Sequence, residues 1–297
     1  MTILHRAALA LAFSVALAGC QTVAEAPAAT PMPKPAASEP AVPAHDNLNA
    51  TAWVQSSIEA RMAHRQAWRS AERLLDAALA DASWDALAAN DRVAPVAGLP
   101  PAIIVDVDET VLDNSPYQVR LIREDGSFDD ATWNAWVDEA RATAVAGAPE
   151  FAQAAAKRGV TMIYLTNREH AKSAVTRRNL EAVGFPPPAE SQFLGLGFDT
   201  PGCVPKGSDK GCRRQFVAQR YRVLMQFGDQ LGDFVSVSDN GLEARATQLQ
   251  GFDAWVGQRW FMLANPSYGS WESALYGNDR SLSRDAQRAA KRAALRD

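Results

Sequence analysis

The chain reads as an α/β protein, a parallel sheet flanked by helices. Three observations predict this. Apolar runs of buried-strand length recur along the sequence. Segments with helical spacing separate them. The first run, Ile103-Ile104-Val105, leads into two carboxylates one residue apart, Asp106 and Asp108. Alternation of strand and helix implies parallel pairing through right-handed crossovers. In such sheets ligands gather at the carboxyl ends of the strands, where these acids stand.

Composition sets the outer bounds. With 297 residues, 47% hydrophobic and 22% charged, the chain has an ordinary globular make-up and the length of one large domain or two small ones. A net charge of −4 excludes the basic footprint of a nucleic-acid binder.

The elements follow in order. Residues 1–6 carry one formal charge, Arg6, and 7–18 form an apolar run too short to cross a membrane as a helix. The run ends Leu17-Ala18-Gly19-Cys20, which resembles a bacterial lipobox. Residues 1–19 are therefore expected to be a lipoprotein signal peptide, with Cys20 the lipidation site. Gln21 after the cysteine matches the sorting preference for the outer membrane in enteric bacteria, so a lipid-anchored outer-membrane protein is expected. Residues 20–47, rich in Ala and Pro, cannot bury enough to fold and read as a disordered tether. The folded domain is expected over 48–297.

Asn49 and Thr51 are candidate caps of a first helix, whose apolar positions run through Val54, Ile58, Met62, Trp68, Leu74, Leu75 and Leu79. A short helix is expected over Trp84–Ala89. His64 reads as a packing or surface residue. Strands are expected at Ala102–Val107, Val160–Leu165, Phe193–Leu196, Arg222–Phe227 and Trp260–Leu263, and helices at Ala148–Lys157 and Lys172–Val183. Phe234–Val237 reads as loop, and the Arg- and Ala-rich stretch after Asn278 as a terminal helix. Cys203 and Cys212 form an even pair able to close a small disulfide loop in an oxidising compartment. Without a Cys-x-x-Cys or Cys/His set, zinc is not expected.

Several strand ends deliver polar groups. Asp106 and Asp108 come first, then Thr166-Asn167-Arg168. Lys210 (or Lys206) precedes a helix, and Asp229 and Asp233 close the set. Two acids so close repel unless a cation sits between them. Carboxylates suit Mg²⁺, while Thr, Asn and Lys suit phosphate oxygens, so this order fits phosphoryl transfer.

The motifs Asp106-Val107-Asp108-Glu109-Thr110-Val111-Leu112-Asp113-Asn114-Ser115-Pro116-Tyr117 and Gly228-Asp229-Gln230-Leu231-Gly232-Asp233-Phe234 resemble those of the bacterial class C acid phosphatases. These are secreted or lipid-anchored members of the haloacid dehalogenase superfamily. Trp133-Asn134-Ala135-Trp136-Val137, Tyr164-Leu165-Thr166-Asn167-Arg168 and Asn265-Pro266-Ser267-Tyr268-Gly269-Ser270-Trp271-Glu272 extend the likeness over roughly Leu48 to Glu272. The resemblance implies a Rossmann-like, haloacid dehalogenase-like sheet with a small helical cap insertion near 113–147. It implies Asp106 as nucleophile, Asp108 as acid and base with its backbone carbonyl on the metal, and Thr166 and Lys210 on the phosphoryl group. Mg²⁺ would be held by Asp106, Asp108, Asp229 and Asp233. Asn167, Arg168, Trp133 and Tyr268 would meet substrate, while Trp136 and Trp271 read as core and Asp113 as a turn residue. Gln230 departs from the family's usual Asn, and Cys212, two residues after Lys210, is also unusual.

The expected function is a Mg²⁺-dependent phosphomonoesterase of the cell envelope, an acid phosphatase or 5′-nucleotidase working through an aspartyl-phosphate. Its expected partners are small phosphomonoesters such as 5′-nucleotides or nicotinamide mononucleotide, and the membrane through the N-terminal lipid. The oligomeric state is open, with a homodimer among the options. Competing readings are a surface lipoprotein that binds haem or another ligand, and a phosphotransferase using the same site.

Overall fold

The computed structural model describes residues 44–297. The signal peptide, Cys20 and most of the tether lie outside them. Two helices lead, α1 (Leu48–Ser56) and α2 (Ile58–Ala80). Asn49 and Thr51 lie inside α1 and cap nothing. The cap that matters is Ser57, whose hydroxyl accepts the Ala60 N–H at 3.0 Å and starts α2. Along α2 the buried stripe is Ala60, His64, Trp68, Ala71, Leu75 and Ala78, spaced three and four apart. Ile58 and Met62 are exposed instead. The stripe is rotated from the one the bulky residues mark, because alanines let the helix lie close to its neighbours.

The helix expected over 84–89 does not form. The Trp84 indole N–H donates to the Leu224 carbonyl, and the Ala86 N–H donates to the Val223 carbonyl, both at 2.7 Å. The Gln226 side-chain amide donates to the Ala86 carbonyl at 2.8 Å. With its polar groups taken by the neighbouring strand, the segment cannot close a helical ladder.

The rest is built from β1 (Pro101–Val105), β2 (Leu112–Asp113), α3 (Ser115–Arg123), α4 (Asp130–Asp138), β3 (Thr143–Ala144), α5 (Ala148–Lys157), β4 (Thr161–Glu169), α6 (Ser173–Ala182) and β5 (Phe193–Leu196). Then come α7 (Gly211–Ala218), β6 (Arg222–Gly228), α8 (Leu231–Phe234), α9 (Leu242–Gln250), β7 (Trp260–Met262), α10 (Ser270–Ala274) and α11 (Arg284–Ala293). Five strands form one sheet in the order β5-β4-β1-β6-β7, and every adjacent pair is parallel. The short β2 and β3 pair antiparallel as a separate ribbon, at the two ends of the segment that carries α3 and α4.

Side-chain alternation along β1 shows why the sheet is covered on both faces. Ile103 and Val105 join Trp68, Phe151 and Phe227 on one side. Ala102 and Ile104 join Leu194, Val223 and Trp260 on the other. α2 packs over β6, β7 and α5 on the first side.

β6 and β7 end within one residue of expectation, and the ends of β1 and β4 differ by more. β1 stops at Val105, not Val107. The Asp106 N–H still donates to the Phe227 carbonyl at 2.9 Å, and the chain then turns, with Val111 and Leu112 both donating to the Val107 carbonyl. β4 runs on to Glu169 with an irregular register beside β5, rather than stopping at Leu165. Both changes lie where the polar groups cluster.

Candidate active site

Four strand ends and one helix start meet at the carboxyl edge of the sheet. Past β1, Asp106 is buried, and one of its carboxylate oxygens receives the Lys210 ammonium. Lys210 immediately precedes α7, is also buried, and gives a second bond to Asp233 at 2.7 Å. Lys206, the competing candidate, is exposed on the loop before it. After β6, Asp229 and Asp233 stand at the two ends of a tight turn into α8. Asp233 folds back on that turn, and its second oxygen accepts the N–H groups of Asp229 at 3.1 Å and Gln230 at 2.8 Å. Room for this exists because residue 228 is a glycine; a Cβ there would collide with the Asp233 side chain.

Oxygens of Asp106, Asp229 and Asp233 lie within 4.8 Å of one another, all buried. One lysine cannot balance three carboxylates. Burial pushes Asp106 up to about 7, against the pull of Lys210, with the charges of Asp233 and Asp108 adding to the rise. Burial, then Asp233 and Asp106, hold Asp229 well above the usual carboxylate range. An all-oxygen set with uncompensated negative charge fits a hard divalent cation. Asp229 is held ready by two amides, Asn265 and Gln230, both donating to its Oδ2 at 2.8 Å. Gln230 also reaches the Tyr268 carbonyl and the Ser270 N–H, tying α8 to the start of α10.

β1 ends before Asp106 and Asp108, so strand alternation does not set their directions, and the Asp108 charge still acts on Asp106. The Asp108 carboxylate stands outside the three-acid group. One of its oxygens accepts Arg168 Nη2 at 2.8 Å and Asn114 Nδ2 at 2.9 Å. Among the described residues its other oxygen accepts only the Thr166 hydroxyl, at 3.4 Å. Thr166 is fully buried and caps no helix; its oxygen accepts the Arg168 N–H within β4. Asn167 is exposed at the rim, its side-chain oxygen held by Arg213 at 2.7 Å. Arg168 does not face the open site: its guanidinium is buried among Asp108, Asn114 and Thr176.

Trp133, on α4, is half-buried between Tyr117 and the face of Arg168. Trp136 is core, as expected, and donates to Asn114 Oδ1 at 2.8 Å. The Tyr268 hydroxyl donates to Glu109, whose other oxygen accepts the Asn114 N–H at 2.8 Å. Asp113 is a turn residue, accepting the Ser115 N–H at 2.8 Å. Cys203 and Cys212 are joined in a disulfide across the loop that holds Lys210.

Sequence reasoning missed Asn114, Arg213, Glu109, Gly228 and Asn265. Asn114, Glu109, Gly228 and Asn265 sit inside the quoted motifs. Only burial shows that Arg213 pins the Lys210 loop, donating to the Thr166 carbonyl and to the Ser208 and Asp209 carbonyls at 3.3 Å.

A parallel sheet with this set of acids, threonine and lysine at its carboxyl edge is the architecture of a haloacid dehalogenase-type phosphatase. A family profile described as HAD superfamily, subfamily IIIB (acid phosphatase), matches residues 29–271, and the chain belongs to that family of phosphoric monoester hydrolases. Two solved structures of the class C acid phosphatase from Bacillus anthracis, one with tungstate bound, superpose with a TM-score of 0.71. Both are 30% identical, over 84% of this chain and 97% of theirs. Acid phosphatase 1 of Solanum lycopersicum is 28% identical over 56% of this chain and 57% of its own length. The stem 31 kDa glycoprotein of Glycine max is 27% identical over 49% and 56%. The matched region thus spans little more than half the length of these two curated relatives. Phosphatases of this superfamily are metal-dependent, which agrees with the three-acid group.

Proposed function

We propose that the chain is a Mg²⁺-dependent phosphomonoesterase of the cell envelope that works through an aspartyl-phosphate on Asp106. The observation that carries this is Lys210 bridging Asp106 and Asp233, with an Asp229 oxygen within the same 4.8 Å group. Asp106, Asp229 and Asp233 would hold the ion, which when bound neutralises charge on the phosphate and on the acids.

The chain's own groups then divide the work. An oxygen of Asp106 attacks phosphorus as the ester P–O bond breaks. Lys210 offsets charge between that carboxylate and the phosphoryl oxygens. The Thr166 hydroxyl donates to one of those oxygens. Asp108 gives a proton to the leaving oxygen, then takes one from the water that frees Asp106 and releases phosphate. The tungstate held by the Bacillus anthracis relative is a tetrahedral oxyanion, the shape that Lys210 and Thr166 would meet here.

For substrate, 5′-nucleotides or nicotinamide mononucleotide are favoured, with the ring against Trp133 or Tyr268. The lipobox supports a lipid anchor at Cys20 and an outer-membrane location. The test uses residues 21–297 with Mg²⁺ and a panel of nucleotides and simple esters. Phosphate release that vanishes in Asp106→Asn is the expected result. No release from any ester, or an Asp106→Asn variant as active as the unaltered chain, overturns the reading. Cys20→Ser in the full chain should move the protein from the membrane fraction to the soluble one.

A further inference from the structure

The proton donor needs one carboxylate oxygen aimed at the leaving group and one held still. Asp108 is arranged this way. Its Oδ1 carries the whole load: Arg168 Nε at 2.9 Å, Arg168 Nη2 at 2.8 Å and Asn114 Nδ2 at 2.9 Å. Its Oδ2 meets only the long Thr166 contact at 3.4 Å and is left for chemistry. The holders are themselves held. Arg168 Nη1 donates to Thr176 at 3.3 Å, and Nη2 also reaches Asn114 Oδ1 at 3.1 Å. That same Asn114 oxygen accepts the Trp136 indole N–H at 2.8 Å. The guanidinium stacks over Trp133, 5.6 Å from the ring centroid. Arg168 and Asn114 are essentially sealed from water, whereas the Asp108 side chain keeps 16% of its surface open.

A buried arginine fork is costly to leave half-paired, so it has one low-energy arrangement. We propose that Arg168, with Asn114, is a positioning residue for Asp108. It fixes the carboxylate rotamer and ties it to α4, the helix that also supplies the Trp133 ring. The wall facing the leaving group and the group that protonates it then form one rigid piece. This differs from a substrate-binding role for Arg168, because each guanidinium nitrogen has a protein partner and the residue is buried. The inference rests on the phosphatase reading above.

The test exploits leaving-group chemistry. An ester of an acidic phenol, p-nitrophenyl phosphate, departs without a proton, whereas glycerol phosphate or a 5′-nucleotide needs one. Arg168→Met should cut kcat/KM, which reports leaving-group departure and not the phospho-enzyme hydrolysis common to all esters, by about 100-fold for the alkyl esters, within the range general acid catalysis supplies. The loss for p-nitrophenyl phosphate should stay below roughly 10-fold. Arg168→Lys should recover part of the difference. Trp136→Phe, which removes the N–H onto Asn114 together with part of the ring, should show the same preference more weakly and covers the case in which Arg168→Met fails to fold. Equal losses on both ester classes, in whichever of these variants folds, overturn the inference and leave the phosphatase reading standing. An unaltered chain that cleaves neither ester removes both.

Discussion

At the scale of single residues, the site stores electrostatic conflict that a cation relieves. Asp229 is buried beside Asp106 and Asp233, and its carboxyl is held well above the usual range. The sign follows from linkage. A carboxyl whose folded value is raised binds its proton more tightly when folded. Its favourable contribution is complete below the unfolded value near 3.8 and disappears as pH climbs through the folded value, about 7 for Asp106. Metal-free protein should therefore gain stability on going from pH 7.5 to pH 5 through these groups. Asp229→Asn should melt higher than the unaltered chain at pH 7.5 in EDTA, and the two curves should draw together at pH 5. Mg²⁺ should reverse the order, raising the melting temperature of the unaltered chain and barely moving the variant. Calorimetry with and without Mg²⁺ decides it; an Asp229→Asn protein that melts lower in EDTA would refute the conflict. Most of these acids were legible in the sequence, because carboxylates ending a buried run need a reason. Arg168 was legible as present but not in its role: only burial separates an arginine that touches substrate from one that holds Asp108.

At the scale of elements, the loop before α7 shows what spacing alone leaves undecided. Lys206 competes with Lys210 by sequence, and the Cys203–Cys212 loop encloses both; burial against Asp106 and Asp233 singles out the second. A cross-link over so short a loop contributes about 2–3 kcal/mol through the unfolded chain. Cys203→Ser with Cys212→Ser should lower stability by that amount in urea. It should also raise KM for phosphate esters several-fold, since Lys210 loses a covalent tether while keeping Asp106 and Asp233. A double variant with unchanged stability and KM would show that Arg213 and Asp209 hold the loop unaided. The strands of the sheet were readable from apolar runs. The segment over 84–89 was misread as a helix, because its composition carries no sign that β6 claims its hydrogen bonds. The paired β2 and β3, two residues each, are too short to leave a pattern.

At the scale of the whole molecule, the N-terminal helix closes one face of the sheet. Trp68 of α2 is buried, stacked 4.1 Å from Phe227 and set 5.2 Å from Phe151. Trp68→Ala should cost about 3–5 kcal/mol by opening a cavity under β6. Trp68→Phe should cost under about 1.5 kcal/mol, because the indole N–H has no partner among the described residues. Urea titrations check both; a Trp68→Ala cost near zero would place the helix outside the cooperative unit. The order β5-β4-β1-β6-β7 was not readable from local pattern, which speaks of neighbours along the chain and not across it. One detail of that sheet reaches furthest. Where β6 ends, bare backbone at Gly228 gives the Asp233 carboxylate its seat. Anyone grafting these acids onto another scaffold must therefore copy an empty space as faithfully as the charges. A single methyl group at that point would evict one ligand before any ion arrived.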